Sequence, residues 1–433
     1  MSRVKLAFSQ TFSSVRSHRN YRLFFLGQLV SVAGSWMQNV ALAWLVLTLT
    51  HSPLCVGLLI AARYAPYTFF GLFGGVIADR ADNRHLVMGA QAFQMLAAVG
   101  LAALTLTGTI AVWEIFLLAA AGGAAMIIDT PARQALTYQM VGRKQLANAI
   151  ALNTSLFNIG RVGGPAIAGV LLATAGPGWC FVVNAASFLA VLVGLALMDT
   201  KKLYQLSRRA VPPILSGLRE GFRFVFESPY IITLTALVTV FSVLCFNFET
   251  LLPNLASVTL QAGPKTYGII SAALGAGALT GALVTAALSR ASVKMTLVGV
   301  AGFAICQMVL AQSHSLFLIT GLLFLTGLFF TTYSTSANTL IQLSSPDHIR
   351  GRVLGIYNWG WLGLAPLGGV LTGWLCQLGG TSLAFYVAGS AALLLASGAS
   401  IYLGLGYLKP ASAATEKPAL VSRPSHTPAF ASD

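Results

Sequence analysis

Charge is what this chain has least of. Only 9% of its 433 residues are Asp, Glu, Lys or Arg, and only 11 are acidic, where a soluble domain carries about a quarter charged residues. So little charge cannot coat a water-exposed surface of this size. The five cysteines, Cys55, Cys180, Cys245, Cys306 and Cys376, are scattered and odd in number, which gives neither a disulfide framework nor a pair at metal spacing. No G-x(4)-G-K-[ST] run is present, which argues against direct use of ATP; Gly275, Gly277 and Gly281 come closest and lack the lysine. There is no His/Cys/Asp cluster for a metal and no Ser/His/Asp arrangement for hydrolysis, so no cofactor, no metal and no enzymatic activity are expected. Runs such as 189–197 do not alternate apolar and polar residues, which argues against barrel strands. The basic first twenty residues have no cleavage site before the first apolar run, and read as a retained leader.

What the chain has in abundance is apolar length: 56% of residues are hydrophobic. A spanning helix needs about 20 of them in a row. Twelve stretches qualify, at about 22–48, 53–78, 86–107, 112–136, 146–174, 178–198, 230–256, 267–288, 295–311, 316–340, 350–376 and 382–407. The expected fold is therefore all-α and integral to a membrane, with twelve transmembrane helices in two halves of six. The polar interruption from Asp199 to Ser228 divides the halves. This predicts a leader over 1–21, an N-terminal half over 22–198, a central loop over 199–229, a C-terminal half over 230–407 and a disordered tail over 408–433. Within the loop, residues 214–227 alternate apolar and charged positions at helical spacing, as a helix lying along the membrane surface does.

A net charge of +15 invites a nucleic-acid partner, but the placement of the charges rejects one. With the N-terminus inside, 23 of the 26 Lys and Arg fall in cytoplasmic segments and only Lys265 falls outside. That asymmetry is the positive-inside rule, and it predicts both termini in the cytoplasm of a bacterial inner membrane. The expected partners are membrane lipid, a small-molecule substrate and protons, with the chain acting as a monomer.

The halves echo one another. Residues 115–118 (Ile-Phe-Leu-Leu) recur at 316–319 and the proline-led run at 165–168 recurs at 366–369, both at a separation of 201 residues. Parallel repeats around a central site are a transporter architecture. Two cations remain inside the spans. Arg63 lies about 15 Å into the second and Arg161 about 22 Å into the fifth, at 1.5 Å per residue. A guanidinium at that depth normally faces a bundle interior or a wet cavity. Each is read either as holding an anionic or oxygen-rich substrate, bidentately, or as half of a structural pair with a buried carboxylate or helix-end carbonyls. Glu249, in the seventh span, is the best-placed carboxylate for proton coupling; the plainer alternative is a residue facing the outer vestibule. Gln38, Asn39, Tyr64, Asn247, Tyr333 and Asn358 are the further candidates for lining a substrate site, with helix–helix hydrogen bonding as the alternative for most buried amides.

Between the second and third spans, Gly75, Asp79, Arg80 and Arg84 stand in G-x-x-x-D-R-x-x-x-R. This resembles the loop signature of the major facilitator superfamily. The resemblance implies a cytoplasmic latch between the halves, in which Asp79, Arg80 and Arg84 take part; Asp129, about 8 Å from the end of the fourth span, is within reach of Arg80 or Arg84. Gly75 would permit close helix approach. In the fifth span Gly160, Gly164, Pro165 and Gly169 resemble the G-x(3)-G-P-x(2)-G-G pattern of proton-coupled exporters of that superfamily, with Ala168 replacing one glycine. Small residues at this spacing pack helices and the proline kinks one. Four further runs, 27–38, 129–134, 146–153 and 351–355, look like the bacterial branch of siderophore and drug exporters. The resemblance implies a proton-coupled antiporter exporting a small organic molecule. An uptake porter of the same fold, or a non-transporting sensor or assembly factor, are the alternatives.

Overall fold

The computed structural model describes residues 11–205, 214–288, 291–346 and 349–404, with backbone alone at Val76, Asp79, 214–218 and 402–404. The expected tail, residues 1–10 of the leader, residues 206–213 of the central loop and the loop at 289–290 lie outside the described residues.

The described chain is almost wholly helical. Ten helices are long and apolar enough to cross a bilayer, and two of these are double-length, Val112–Thr174 and Ala365–Gly404. Each double helix is broken by glycine in a conformation other residues avoid: Gly142 has φ +64° and Gly380 has φ +69°. Dividing them there gives twelve spans. The first helix begins at Arg19, not near residue 22, because the leader is already helical at Ser13–Ser17.

Sequence sets the helix ends. Ser52 and Ser228 accept from the amides three residues on, and each is followed by proline in the first turn; Asp82 and Ser292 cap the third and ninth spans in the same way. Such caps satisfy the amides that a helix start leaves without intrahelical partners. The carboxylate of Glu114 accepts from the amide of Ala111 at 2.8 Å at the start of the fourth span, so it serves the fold locally.

Within the N-terminal half the first span packs on the fifth and sixth. A Cβ on Gly160 would meet Val32, one on Gly164 would meet Trp36 and the Ala33 carbonyl, and one on Gly27 would meet the backbone of Ala190. The two halves meet along two seams. In one, Gly57 and Pro53 of the second span face Gly369 and Gly373 of the eleventh; in the other, Gly169 of the fifth span faces Gly268 of the eighth, at 2.8 Å from the position of a Cβ. Each seam lies toward the end opposite the basic loops, where Trp44 also stacks on Tyr267 at 5.8 Å. Among the described residues no glycine at the basic end makes an approach of this kind between halves.

The basic end is organised by polar contacts. Ser14, fully buried, donates to Asn148 at 2.7 Å, and Asn20 exchanges two hydrogen bonds with the backbone of Asp199. The linker helix Ile214–Glu227 lies against the start of the eleventh span, where Glu220 pairs with Arg352. On the same helix Arg223 pairs with Glu227, one turn on, at 2.7 Å. That hydrogen bond raises its pKa above the ordinary arginine value.

Candidate functional site

Three helices lose regularity beside one another at mid-depth. The second span contains Pro66 and passes into a 3-10 turn at Gly71–Phe73. The seventh stops at Leu244, restarts at Phe248 and ends in a π-helical turn over Leu255–Thr259. The eleventh carries a π-helical turn at Trp359–Gly363. Interruptions of this kind release backbone groups from the helix and collect at functional sites. Here the released groups join the halves: the Trp359 indole donates to the Thr68 carbonyl at 2.9 Å, and the Thr68 hydroxyl donates to the Gly363 carbonyl at 2.7 Å.

Between the halves at this level is a cavity of about 150 Å³. It is walled by the first, second, fifth, seventh, eighth and eleventh spans. Asn39, Tyr64, Arg161, Asn247 and Glu249 line it, so five of the nine residues singled out for substrate or proton come together. A drug-sized ligand usually occupies roughly 300–1,000 Å³; a substrate of that size requires the halves to part.

Arg63 does not line the cavity but crosses between the halves. Its Nη1 donates to Glu249 Oε2 at 3.2 Å, with 16% of the arginine and 33% of the glutamate side chain exposed. Its guanidinium also lies 5.0 Å from the centre of the Tyr64 ring. Arg63 thus takes the structural-pair alternative read for it, with Glu249 as the carboxylate, in one ion pair joining the second span to the seventh. Arg161 has a different setting. Its guanidinium lies 5.9 Å from the Trp36 ring and 5.5 Å from each of Phe246 and Phe330, and no carboxylate among the described residues is within 4 Å. Phe246 and Phe330 themselves stack at 3.8 Å.

Three of the expected lining residues sit elsewhere. Gln38 accepts from the Asn184 amide at 2.7 Å and ties the first span to the sixth. Tyr333 is fully buried against Phe241, with ring centres 4.6 Å apart. Asn358 is exposed and outside the cavity lining. Side-chain packing decides which face of a helix turns inward, and residue type alone did not reveal it.

The expected latch is also distributed differently. Asp129, 6% exposed, pairs with Arg133 one turn along its own helix and accepts from Gln91 at 3.2 Å, while Arg133 also donates to Gln28. Neither Arg80 nor Arg84 reaches it: Arg80 is exposed, and Arg84 donates to the carbonyls of Leu195 and Ala196 at the end of the sixth span. A Cβ at Gly75 would meet nothing within 4 Å; the close approach falls at Gly74, against the Ile127 carbonyl. The side chain of Asp79 lies outside the described residues. In the fifth span Gly160 and Gly164 pack inside the half and Gly169 packs across it, while Pro165 lines the cavity.

Several cavity residues gave no sequence signal of their own. Phe246 was legible only as the neighbour of Asn247 and Glu249. Phe330, outside the lining but stacked on Phe246, was legible only as the position 201 residues after Asp129. Thr250 and Ser271 looked like ordinary helix residues, yet both belong to the lining, with buried hydroxyl oxygens that have no protein hydrogen-bond partner.

Known proteins resemble this chain along nearly its whole length. A family model described as transmembrane secretion effector matches residues 9–424. The Staphyloferrin A transporter of Staphylococcus aureus (strain NCTC 8325 / PS 47) is 26% identical over 81% of this chain and 88% of its own length. The multidrug efflux pump Tap of Mycolicibacterium fortuitum is 27% identical over 86% and 93%, and the enterobactin exporter EntS of Escherichia coli O81 (strain ED1a) 29% over 80% and 82%. The fold is shared with a solved bacterial homologue of the human lysosomal transporter Spinster, at TM-score 0.68 and 14% identity over 89% of this chain and 95% of that one.

Proposed function

The chain belongs to the transmembrane secretion effector family of major facilitator transporters, and from that premise we propose that it is a proton-coupled antiporter exporting a small organic molecule, siderophore or drug-like, from the cytoplasm. The observation that carries this reading is the Arg63–Glu249 pair, which joins the two halves beside a cavity whose far end is closed by the glycine seams. The basic end is read as cytoplasmic, with both termini there, because a bacterial inner membrane retains Lys and Arg on that side. The closed end then faces out, and substrate enters from within.

Glu249 is the group that proton and ion pair share. With Glu249 ionised, the pair holds the second and seventh spans together and the empty carrier does not leak. A proton on Glu249 cancels the charge that Arg63 grips, and the halves are free to rock about the cavity. A membrane potential of 100 mV supplies about 2.3 kcal/mol for each charge moved, enough to drive export against a gradient.

The test is proton flux in everted vesicles on addition of candidate compounds, beside the separation of spin labels at His51 and Gly263 in the far-end loops. Loss of proton flux in Glu249→Gln, with the label separation still alternating between two values, supports the assignment. Unchanged flux removes Glu249 from coupling. A single label separation under every condition removes alternating access altogether.

A further inference from the structure

The charges at the cavity do not balance. Arg63 and Arg161 bring two guanidiniums, arginine stays protonated at any working pH, and Glu249 is the only carboxylate among the lining residues. Its nearer partner is Arg63. Arg161 is left with the faces of three rings, Trp36 from its own half and Phe246 and Phe330 from the other.

An arginine uncompensated at this depth is costly unless something pairs with it. The ring faces repay part of the cost through their negative quadrupole. They cover the guanidinium and leave its N–H edge without an acceptor, since no hydrogen bond to a protein atom is made by the Arg161 side chain among the described residues.

The hydrogen-bonding lining points the same way. The Asn247 amide nitrogen is already spent on the Val243 carbonyl at 2.9 Å, and the hydroxyl oxygens of Thr250 and Ser271 are buried away from the cavity space. What the wall still offers is one donor group, the Arg161 guanidinium. A buried donor without a partner is destabilising until an acceptor arrives.

We propose that the cavity selects a substrate with one negative charge, a carboxylate or similar oxyanion joined to a flat apolar body, with the anion on Arg161 and the body against Trp36 and Phe246. This rests on the exporter reading and narrows its substrate class. A single charge is specified by the count in the binding state, with Glu249 ionised: two guanidiniums, one carboxylate and one anion sum to zero. A cationic compound would meet a net positive wall, and a neutral one would leave Arg161 unanswered. Export of the anion is itself favoured by an inside-negative potential, by about 50-fold in concentration per 100 mV.

The purified full-length protein in liposomes tests this with three compounds of one shape: 1-naphthoate, neutral 1-naphthamide and cationic 1-naphthylmethylammonium. In the wild-type protein 1-naphthoate should bind at least tenfold more tightly than 1-naphthamide, with the ammonium weakest. Arg161→Gln should bring 1-naphthoate and 1-naphthamide within about twofold of each other. Arg161→Lys, which keeps the charge, should preserve the preference for 1-naphthoate over 1-naphthamide. Equal binding of acid and amide by the wild-type protein, preference for the ammonium, or binding of none of the three each overturns the proposal. The spin-label separation between His51 and Gly263 reports alternation without substrate selection, so the exporter reading can survive such a failure or fall separately.

Discussion

The two halves carry the same six-helix plan and opposite chemistry. The N-terminal half keeps ions inside its spans: Arg63, Arg161 and the Asp129–Arg133 pair. At the echo positions 201 residues on, the C-terminal half has Phe330 for Asp129 and Leu362 for Arg161. Arg161 and Leu362 both line the cavity, from opposite walls. Backbone regularity differs in parallel. The first span runs unbroken from Arg19 to Thr50, whereas the seventh is interrupted after Leu244 and ends in a π-helical turn. One half thus supplies most of the fixed charge; the other supplies two of the rings around Arg161 and the most interrupted helix, and Glu249 is the carboxylate it sends across. Duplication gives the frame, and divergence of single positions gives the two walls different tasks.

Removing an ion should separate the halves most clearly. Asp129→Ala would leave Arg133 without its carboxylate, and loss of one partner from a buried pair costs about 3–5 kcal/mol. The purified protein should melt well below wild type in detergent. At the echo position Phe330→Leu removes one ring face from Arg161 and a stack on Phe246 but leaves no ion unpaired, and should cost about 1–2 kcal/mol. Equal melting of the two variants would erase the contrast.

Next in size is a change at a seam. Gly169→Val would press side-chain carbon into Gly268, whose Cα lies 2.8 Å from where a Cβ would stand. The far end should be forced apart, lengthening the His51–Gly263 label separation and lowering transport about tenfold. Gly163→Val, six residues earlier where nothing lies within 4 Å, should change stability by less than about 0.5 kcal/mol. A smaller effect is expected for Trp359→Phe. It deletes one hydrogen bond to Thr68, about 0.5–1.5 kcal/mol, on the basic side of the cavity, and should be read as a small fall in the population open at the far end. An unchanged label distribution would show that this bond does not hold the halves.

Much of the architecture was legible because bilayer physics is strict. Apolar length gave the spans, and Arg63, Arg161 and Glu249 stood out because an ion inside a span demands a reason. Gln38, Tyr333 and Asn358 were misplaced because an apolar helix has no polar face to mark its inward side. Gly75 and Gly74 were indistinguishable in sequence, since both are glycine and only a neighbouring helix shows which one needs to be. The latch assignment of Asp129 failed on a local competitor: Arg133, four residues along the same helix, reaches it before any arginine from the loop does.

By itself the sequence determined that this chain crosses a membrane as paired sets of helices with a few ions retained at depth, because hydrocarbon penalises every unpaired charge and every broken backbone bond. Only the tertiary structure decided that Glu249 answers Arg63 and leaves Arg161 to three aromatic rings. Those partners lie 85 to 186 residues apart along the chain, and it is the rotation of each helix about its own axis, set by packing, that turns them toward one another.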